Sequence, residues 1–127
     1  METGTQPAMN VDVELQMAMK IEINQCIQNC LDSHRSCLET ISYCLQVGGE
    51  HKNAAFINLL TDCAAICAIN ANFIIRNSTY QSQTCGICAA ICVACAEACQ
   101  KLGPDDPIMQ QCAAICGRGG ESCWKMS

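Results

Sequence analysis

The sequence predicts an all-α protein: an antiparallel, up-down-up-down four-helix bundle with a short N-terminal helical extension. Fourteen cysteines among 127 residues are mostly spaced three, four or seven apart, which puts them on one face of an α-helix. Hydrophobic residues make up 50% of the chain but aromatic residues only 4%, and this composition suits packed helices better than a sheet. A single domain covering residues 1–127 is expected, with its core at about 22–124.

Turn residues divide the chain into four segments. Gly48-Gly49, Asn77-Ser78-Thr79 and Gly103-Pro104 interrupt the helical spacing. Helices are expected at about 22–47, 51–76, 80–102 and 106–124. A further amphipathic helix is expected before residue 20, either separate from the first or continuous with it. The short connections make neighbouring helices antiparallel.

Each segment carries a stripe of cysteines. Because each residue turns about 100° around an α-helix, the cysteines of a segment fall within an arc of about 40–80°. The stripes are Cys26, Cys30, Cys37 and Cys44; Cys63 and Cys67; Cys85, Cys88, Cys92, Cys95 and Cys99; and Cys112, Cys116 and Cys123. The four stripes should therefore face a shared interior lined with thiols.

Equal rise per residue, counted outward from each turn, predicts which cysteines share a level. One layer is expected to hold Cys37, Cys63, Cys95 and Cys112, and the next Cys30, Cys67, Cys92 and Cys116. The end near the second turn is expected to hold Cys26, Cys85, Cys88 and Cys123. Cys44 and Cys99 are expected at the opposite end, beside Met109 and not far from His51.

Charge and the N-terminal sequence exclude several classes of protein. The formal net charge is −5 and the seven Lys and Arg residues are scattered, so no nucleic-acid partner is expected. The first twenty residues contain no positive n-region followed by an apolar run, so we expect no export signal. A cytoplasmic protein with reduced thiols is the expectation.

The apolar run at residues 54–75 is about long enough to span a membrane. Four polar residues interrupt it, namely Asn58, Asp62, Asn70 and Asn72, so no membrane partner is expected. A helix that is apolar on several faces is more readily explained by burial on two sides. One face would enter the bundle, and the other, around Ile66, Ile69 and Phe73, would contact a second subunit.

Several interpretations of a thiol-lined core are disfavoured. Cysteine as a mere hydrophobic filler does not explain a pattern repeated on all four helices. Disulfides within a helix fail because β-carbons at i and i+4 lie about 5–6 Å apart, whereas a disulfide needs about 3.5–4.5 Å. The gaps in the third stripe differ in order from those of the ferredoxin iron–sulfur motif. No grouping of Ser, His and acid suggests an enzyme.

Soft metal ions held by many thiolates remain, and the spacing favours Cu(I). A linear S–Cu–S unit spans about 4.6 Å, which a Cys-x3-Cys pair on one helix can close with small rotamer shifts. One monovalent cation per thiolate would also leave the buried core neutral. Zinc needs quartets of ligands, and the six cysteines outside the two central layers do not form them.

These residues closely resemble the bacterial copper storage proteins. The resemblance is carried by Cys-x3-Cys pairs on all four helices, such as Cys26 to Cys30 and Cys112 to Cys116, and by the Cys88-Ala-Ala-Ile-Cys92-Val-Ala-Cys95 run. It covers about residues 22–124. It implies a thiol-lined four-helix bundle that stores many Cu(I) ions and assembles as a homotetramer, without catalysing a reaction. The absence of a leader resembles the cytosolic branch of the family.

The resemblance also implies a metal-entry mouth lined by His or Met, and His51 and Met109 are expected in that role beside Cys44 and Cys99. The second helix departs from the fullest family pattern because Phe56, Asn70 and Ile74 share its cysteine stripe. Copper occupancy at the level of Asn70 should therefore be less regular. Two alternatives stay open, a thiol-rich zinc or cadmium buffer and a helical interaction module locked by disulfides.

Overall fold

The computed structural model describes the backbone of residues 2–127 and the side chains of residues 11–127. Helix α1 covers Glu2–Val47, α2 covers Ala54–Ile75, α3 covers Gln81–Leu102 and α4 covers Pro107–Met126. A short 3₁₀ helix, Gly49–Lys52, lies between α1 and α2. Each helix packs against two neighbours, α1 on α2 and α4, and α3 on α2 and α4. The predicted four-helix bundle is confirmed.

Local sequence explains where the helices begin and end. Gly48, with φ of 78°, follows α1, and its N–H donates to the Cys44 carbonyl at 3.0 Å. Such a left-handed conformation favours glycine and ends a helix. The side chains of Asn53 and Asp106 cap α2 and α4 by accepting from backbone N–H groups of the first turn. Asn77, with φ of 55°, forms the turn after α2.

The first helix is longer than the bundle it enters. It continues without a break from residue 2, and every side chain from residue 11 to residue 22 is exposed. Twenty residues of helix extend about 30 Å, so α1 projects well beyond the end of the bundle near the α2–α3 turn. The helical extension predicted before residue 20 is thus continuous with α1.

The helices are lined inwardly by cysteine and alanine. The other large buried side chains are Leu60, Phe56, Ile74, Asn70 and Met109. Phe56, Asn70 and Ile74 share the α2 stripe as predicted, and Leu60 lies on it as well. Helices α2 and α3 are each long and apolar enough to cross a membrane by length and composition. Core helices of a bundle share this length and composition, and both helices direct their cysteines into the bundle interior.

Candidate metal centre

The inner faces of all four helices contribute thiols to one continuous core. All fourteen cysteines are free thiols, and none has more than 1% of its surface exposed. The predicted thiol-lined interior is therefore confirmed. Among residues 11–127 no charged side chain is buried with these thiols. The buried polar side chains are Asn29, Ser33, Ser36, Thr40 and Asn70.

One cysteine from each helix meets at the middle of the core. The Sγ atoms of Cys37, Cys63, Cys95 and Cys116 all lie within 4.8 Å of one another. Cys37 Sγ is 3.6 Å from Cys116 Sγ and 4.0 Å from Cys95 Sγ. The prediction of Cys112 at this level is wrong, because Cys116 takes that place. Equal-rise counting ignores helix tilt, and tilt shifts one helix along another.

A second group lies one turn closer to the α2–α3 connection. It contains Cys63, Cys67 and Cys92, again with all Sγ atoms within 4.8 Å. Cys67 Sγ lies 3.4 Å from Cys92 Sγ and 3.7 Å from Cys88 Sγ. The prediction that Cys30 joins Cys67 and Cys92 is wrong, since Cys30 belongs to the next group along the bundle axis.

The third group closes the thiol column at the end near the α2–α3 turn. The Sγ atoms of Cys26, Cys30 and Cys123 lie within 4.8 Å of one another. Cys30 Sγ and Cys26 Sγ are 3.5 Å and 3.9 Å from Cys123 Sγ. Helices α1 and α4 supply these three thiols, and α2 has Asn70 at this level in place of a cysteine.

Asn70 is a fully buried amide in the thiol column. Its Nδ2 donates to Cys30 Sγ at 3.5 Å and to Cys123 Sγ at 3.4 Å. Its Oδ1 accepts from the Thr84 hydroxyl at 2.7 Å and from Cys85 Sγ at 3.4 Å. The amide thus satisfies its hydrogen bonds without a charged partner, and it joins thiols of three helices.

The opposite end of the column contains the residues expected at a mouth. Cys44 Sγ donates to Met109 Sδ at 3.8 Å, and both residues are fully buried. His51 is half-buried, and its Nε2 lies 3.2 Å from Asp106 Oδ2. The same oxygen accepts from the Tyr43 hydroxyl at 2.6 Å. The structure brings His51 to this end as predicted, but Tyr43 and Asp106 carried no sequence signal as its partners.

The buried thiols perturb one another's pKa values. Burial, followed by the nearby Asp106 carboxylate, raises the pKa of Cys44 to about 11. Hydrogen bonding with Cys112 raises the pKa of Cys37 and of Cys95. Hydrogen bonding with Cys116 lowers the pKa values of Cys63 and Cys112. Hydrogen bonding with Cys123 lowers the pKa values of Cys30 and Cys85. A thiolate formed in this core is therefore stabilised by neighbouring S–H donors.

The arrangement suits soft monovalent ions. Neighbouring Sγ atoms lie 3.4–4.0 Å apart, so rotamer shifts that separate a pair by about 1 Å open the about 4.6 Å of a linear S–Cu–S unit. A zinc ion on the central quartet would leave two negative charges in a core where residues 11–127 bury no cation. One Cu(I) per thiolate leaves the same core neutral.

The fold and the site define a class: a helical bundle that holds soft metal ions in a thiol-lined interior. The chain belongs to the copper storage protein family (Csp), whose model matches residues 19–127. It is 32% identical over 102 residues, 80% of this chain and 93% of the relative, to the cysteine-rich protein YhjQ of Bacillus subtilis strain 168.

Solved structures agree with this family. The Nmul_A1745 protein of Nitrosospira multiformis is 34% identical with a TM-score of 0.78, covering 84% of this chain and 95% of that one. The Cu(I)-bound copper storage protein BsCsp3 is 31% identical with a TM-score of 0.76, covering 83% and 97%. The apo-Csp3 of Bacillus subtilis gives a TM-score of 0.72 at 31% identity, covering 81% and 96%. The predictions of copper storage, and of multiple Cu(I) ions as the bound metal, are confirmed.

Proposed function

We propose that all fourteen cysteines are Cu(I) ligands and that the store holds about one ion per thiol, the ratio that keeps a buried core neutral. The full burial of every cysteine in one continuous column carries this proposal. Sγ–Sγ distances of 3.4–4.0 Å join most of these thiols to a neighbouring thiol. The second helix supplies only Cys63 and Cys67, so the region around Asn70 holds fewer ions than the centre.

The protein sequesters copper and does not catalyse a reaction. No thiol is exposed to an external substrate, and the polar side chains of the core are hydrogen-bonded amides and hydroxyls rather than an acid–base pair. Free thiols in this number fit a reducing compartment, which supports a cytoplasmic location. We expect neither nucleic acid nor a membrane as a partner.

Copper enters at the Cys44 end through His51 and Met109. Met109 Sδ already contacts Cys44 Sγ, and a thioether is a soft ligand that can pass Cu(I) to a thiol. His51 lies at the surface of the same end and offers an imidazole nitrogen. Replacing both residues is expected to slow loading without changing the final number of ions. Unchanged loading kinetics would contradict this part of the proposal.

The chain assembles as a homotetramer, with α2 contributing an interface. Ile69 on the outer face of α2 is 46% exposed, and Ile66 and Phe73 are partly exposed beside it. Apolar residues at this spacing form a surface that a second subunit can cover. A monomeric mass by sedimentation equilibrium at micromolar concentration would refute the assembly.

An anaerobic Cu(I) titration tests the central proposal. The reduced apo-protein is titrated while a chromophoric Cu(I) chelator reports unbound metal and a thiol reagent reports free cysteine. Retention of about fourteen ions, one per thiol, is expected from charge neutrality. Retention of one or two ions would favour a tetrahedral zinc-type site on Cys37, Cys63, Cys95 and Cys116, and thiols missing before metal addition would favour the disulfide alternative.

A further inference from the structure

The Cys44 end of the thiol column is covered by the α3–α4 loop. Cys44 and Met109 have no exposed surface. Gly103 in this loop lies so close to Met109 that a β-carbon on it would sit 2.6 Å from Met109 Cγ and 2.8 Å from its Cβ. The loop therefore packs directly on the Met109 side chain. A copper ion cannot reach Met109 or Cys44 from this side until the loop moves.

A single carboxylate holds that loop in place. Asp106 Oδ1 accepts from the backbone N–H groups of Ile108 and Met109, at 2.9 Å and 3.4 Å, and so caps α4. Asp106 Oδ2 accepts from the Tyr43 hydroxyl of α1 and lies within hydrogen-bond distance of His51 Nε2 in the 3₁₀ helix. Tyr43, His51 and Asp106 therefore connect three separate segments, and we refer to them as the Asp106 latch.

The latch also includes His51, the residue that is expected to receive the metal. His51 Nε2 is directed at the carboxylate, and the Tyr43 and His51 rings meet edge to face with centroids 6.0 Å apart. In this arrangement that nitrogen is unavailable to Cu(I). Release of Asp106 would free the imidazole and the α3–α4 loop together.

We propose that the Asp106 latch closes the metal entrance, and that Tyr43 and Asp106 are positioning residues that set the rate of copper entry. This inference rests on the proposed function of His51 and Met109. Copper enters only from the minor open state, so the loading rate is proportional to the fraction of molecules in that state. The final capacity depends on the thiols and is independent of the latch.

Tyr43→Phe tests the latch because it removes one hydrogen bond to the carboxylate and leaves the α4 cap intact. Initial rates are measured by stopped flow as Cu(I) passes from a chromophoric chelator to the reduced apo-protein. We expect loading about tenfold faster than wild type, equivalent to about 1.4 kcal/mol of opening free energy, with unchanged capacity. Asp106→Asn keeps the shape and the capping oxygen but removes the charge, and it should accelerate loading as well.

Ser122→Ala is the matched control. The Ser122 hydroxyl accepts from Asn29 Nδ2 at 2.6 Å, which also joins α4 to α1, but at the opposite end of the bundle. We expect this variant to lose thermal stability while loading at the wild-type rate. This hydrogen bond has the same length as the Tyr43–Asp106 bond. Comparing the two variants therefore distinguishes an effect on closure of the entrance from a general loss of stability.

The outcomes distinguish the latch from the proposed function. Wild-type loading rates in both Tyr43→Phe and Asp106→Asn would overturn the latch, as would an equal acceleration in Ser122→Ala. If Tyr43→Phe fails to fold, Asp106→Asn alone decides between these results. Failure of the wild-type protein to retain copper would instead contradict the proposed function, as would no slowing when His51 and Met109 are replaced in the Tyr43→Phe background, where the latch is already released.

Discussion

Asn70→Ala should destabilise the apo-protein by about 3 kcal/mol. The hydrogen bond from Thr84 contributes about 1 kcal/mol and the three contacts to thiols a few tenths of a kcal/mol each. Removal of a fully buried amide also leaves a cavity, which adds about 1–2 kcal/mol. For a domain of this size, about 3 kcal/mol lowers Tm by about 10 °C.

The assay is thermal unfolding of the reduced apo-protein followed by circular dichroism. Asn58→Ala is the control, since Asn58 lies on the same helix and is exposed. Alanine has the higher helix propensity, so this variant should melt at or slightly above the wild-type temperature. A fall of less than about 3 °C in Asn70→Ala, or equal changes in both variants, would refute the view that Asn70 organises this end of the column.

Three further predictions concern packing, protonation and capacity. Gly103→Ala should destabilise the protein by about 1–3 kcal/mol in urea unfolding because its β-carbon would clash with Met109, whereas Gly117→Ala, with open space around it, should stabilise by up to about 1 kcal/mol. The pKa of Cys44 is raised from 9.0 to about 11, so the stability this thiol contributes is complete below pH 9 and is lost as the pH rises to about 11. Urea unfolding at a series of pH values should therefore show this loss in the apo-protein and not after Cu(I) loading. Cys116→Ser should retain the fold by circular dichroism and lower the Cu(I) count by about one to two ions, because Cys116 lies near both Cys37 and Cys63; an unchanged count in the chelator titration would contradict its role as a ligand.

The cysteine spacing and the turn residues were sufficient to predict the bundle. Helices α3 and α4 begin and end within two residues of the expected positions because Gly103, Asp106 and Pro107 have local conformational roles that a sequence displays directly. Helix α2 begins three residues later than expected. Residues 49–52 form a 3₁₀ turn there, and Asn53 caps the helix that follows.

The extent of α1 was harder to predict. Apolar residues occupy every odd position from Val11 to Ile23, a period typical of strands rather than helices. In a helix this pattern distributes apolar side chains around the axis, and residues 11–22 are accordingly exposed on all sides. The helix continues through this segment because residues 8–47 contain neither glycine nor proline.

Which thiols meet depends on tertiary geometry. The stripes identify every inward-facing cysteine, but a shift of one turn moved Cys116 into the central quartet and Cys30 out of the second layer. Tyr43, His51 and Asp106 come from three separate parts of the chain. They meet only because the α1–α2 connection and the α3–α4 loop fold against α1. The spacing of these residues in the sequence does not predict this contact.

Asn70 indicates how a copper storage protein can replace one cysteine of its thiol-lined core without destabilising either the apo or the copper-loaded state. A large apolar residue at this level would remove the donors to Cys30 and Cys123, and a charged residue would need a buried partner that the described core does not supply. An amide has both a donor and an acceptor. Its N–H can donate to a neutral sulfur in the apo-protein and to a thiolate after loading, where the bond becomes stronger. The hydrogen bonds of Asn70 are therefore compatible with the change in sulfur charge that metal binding requires.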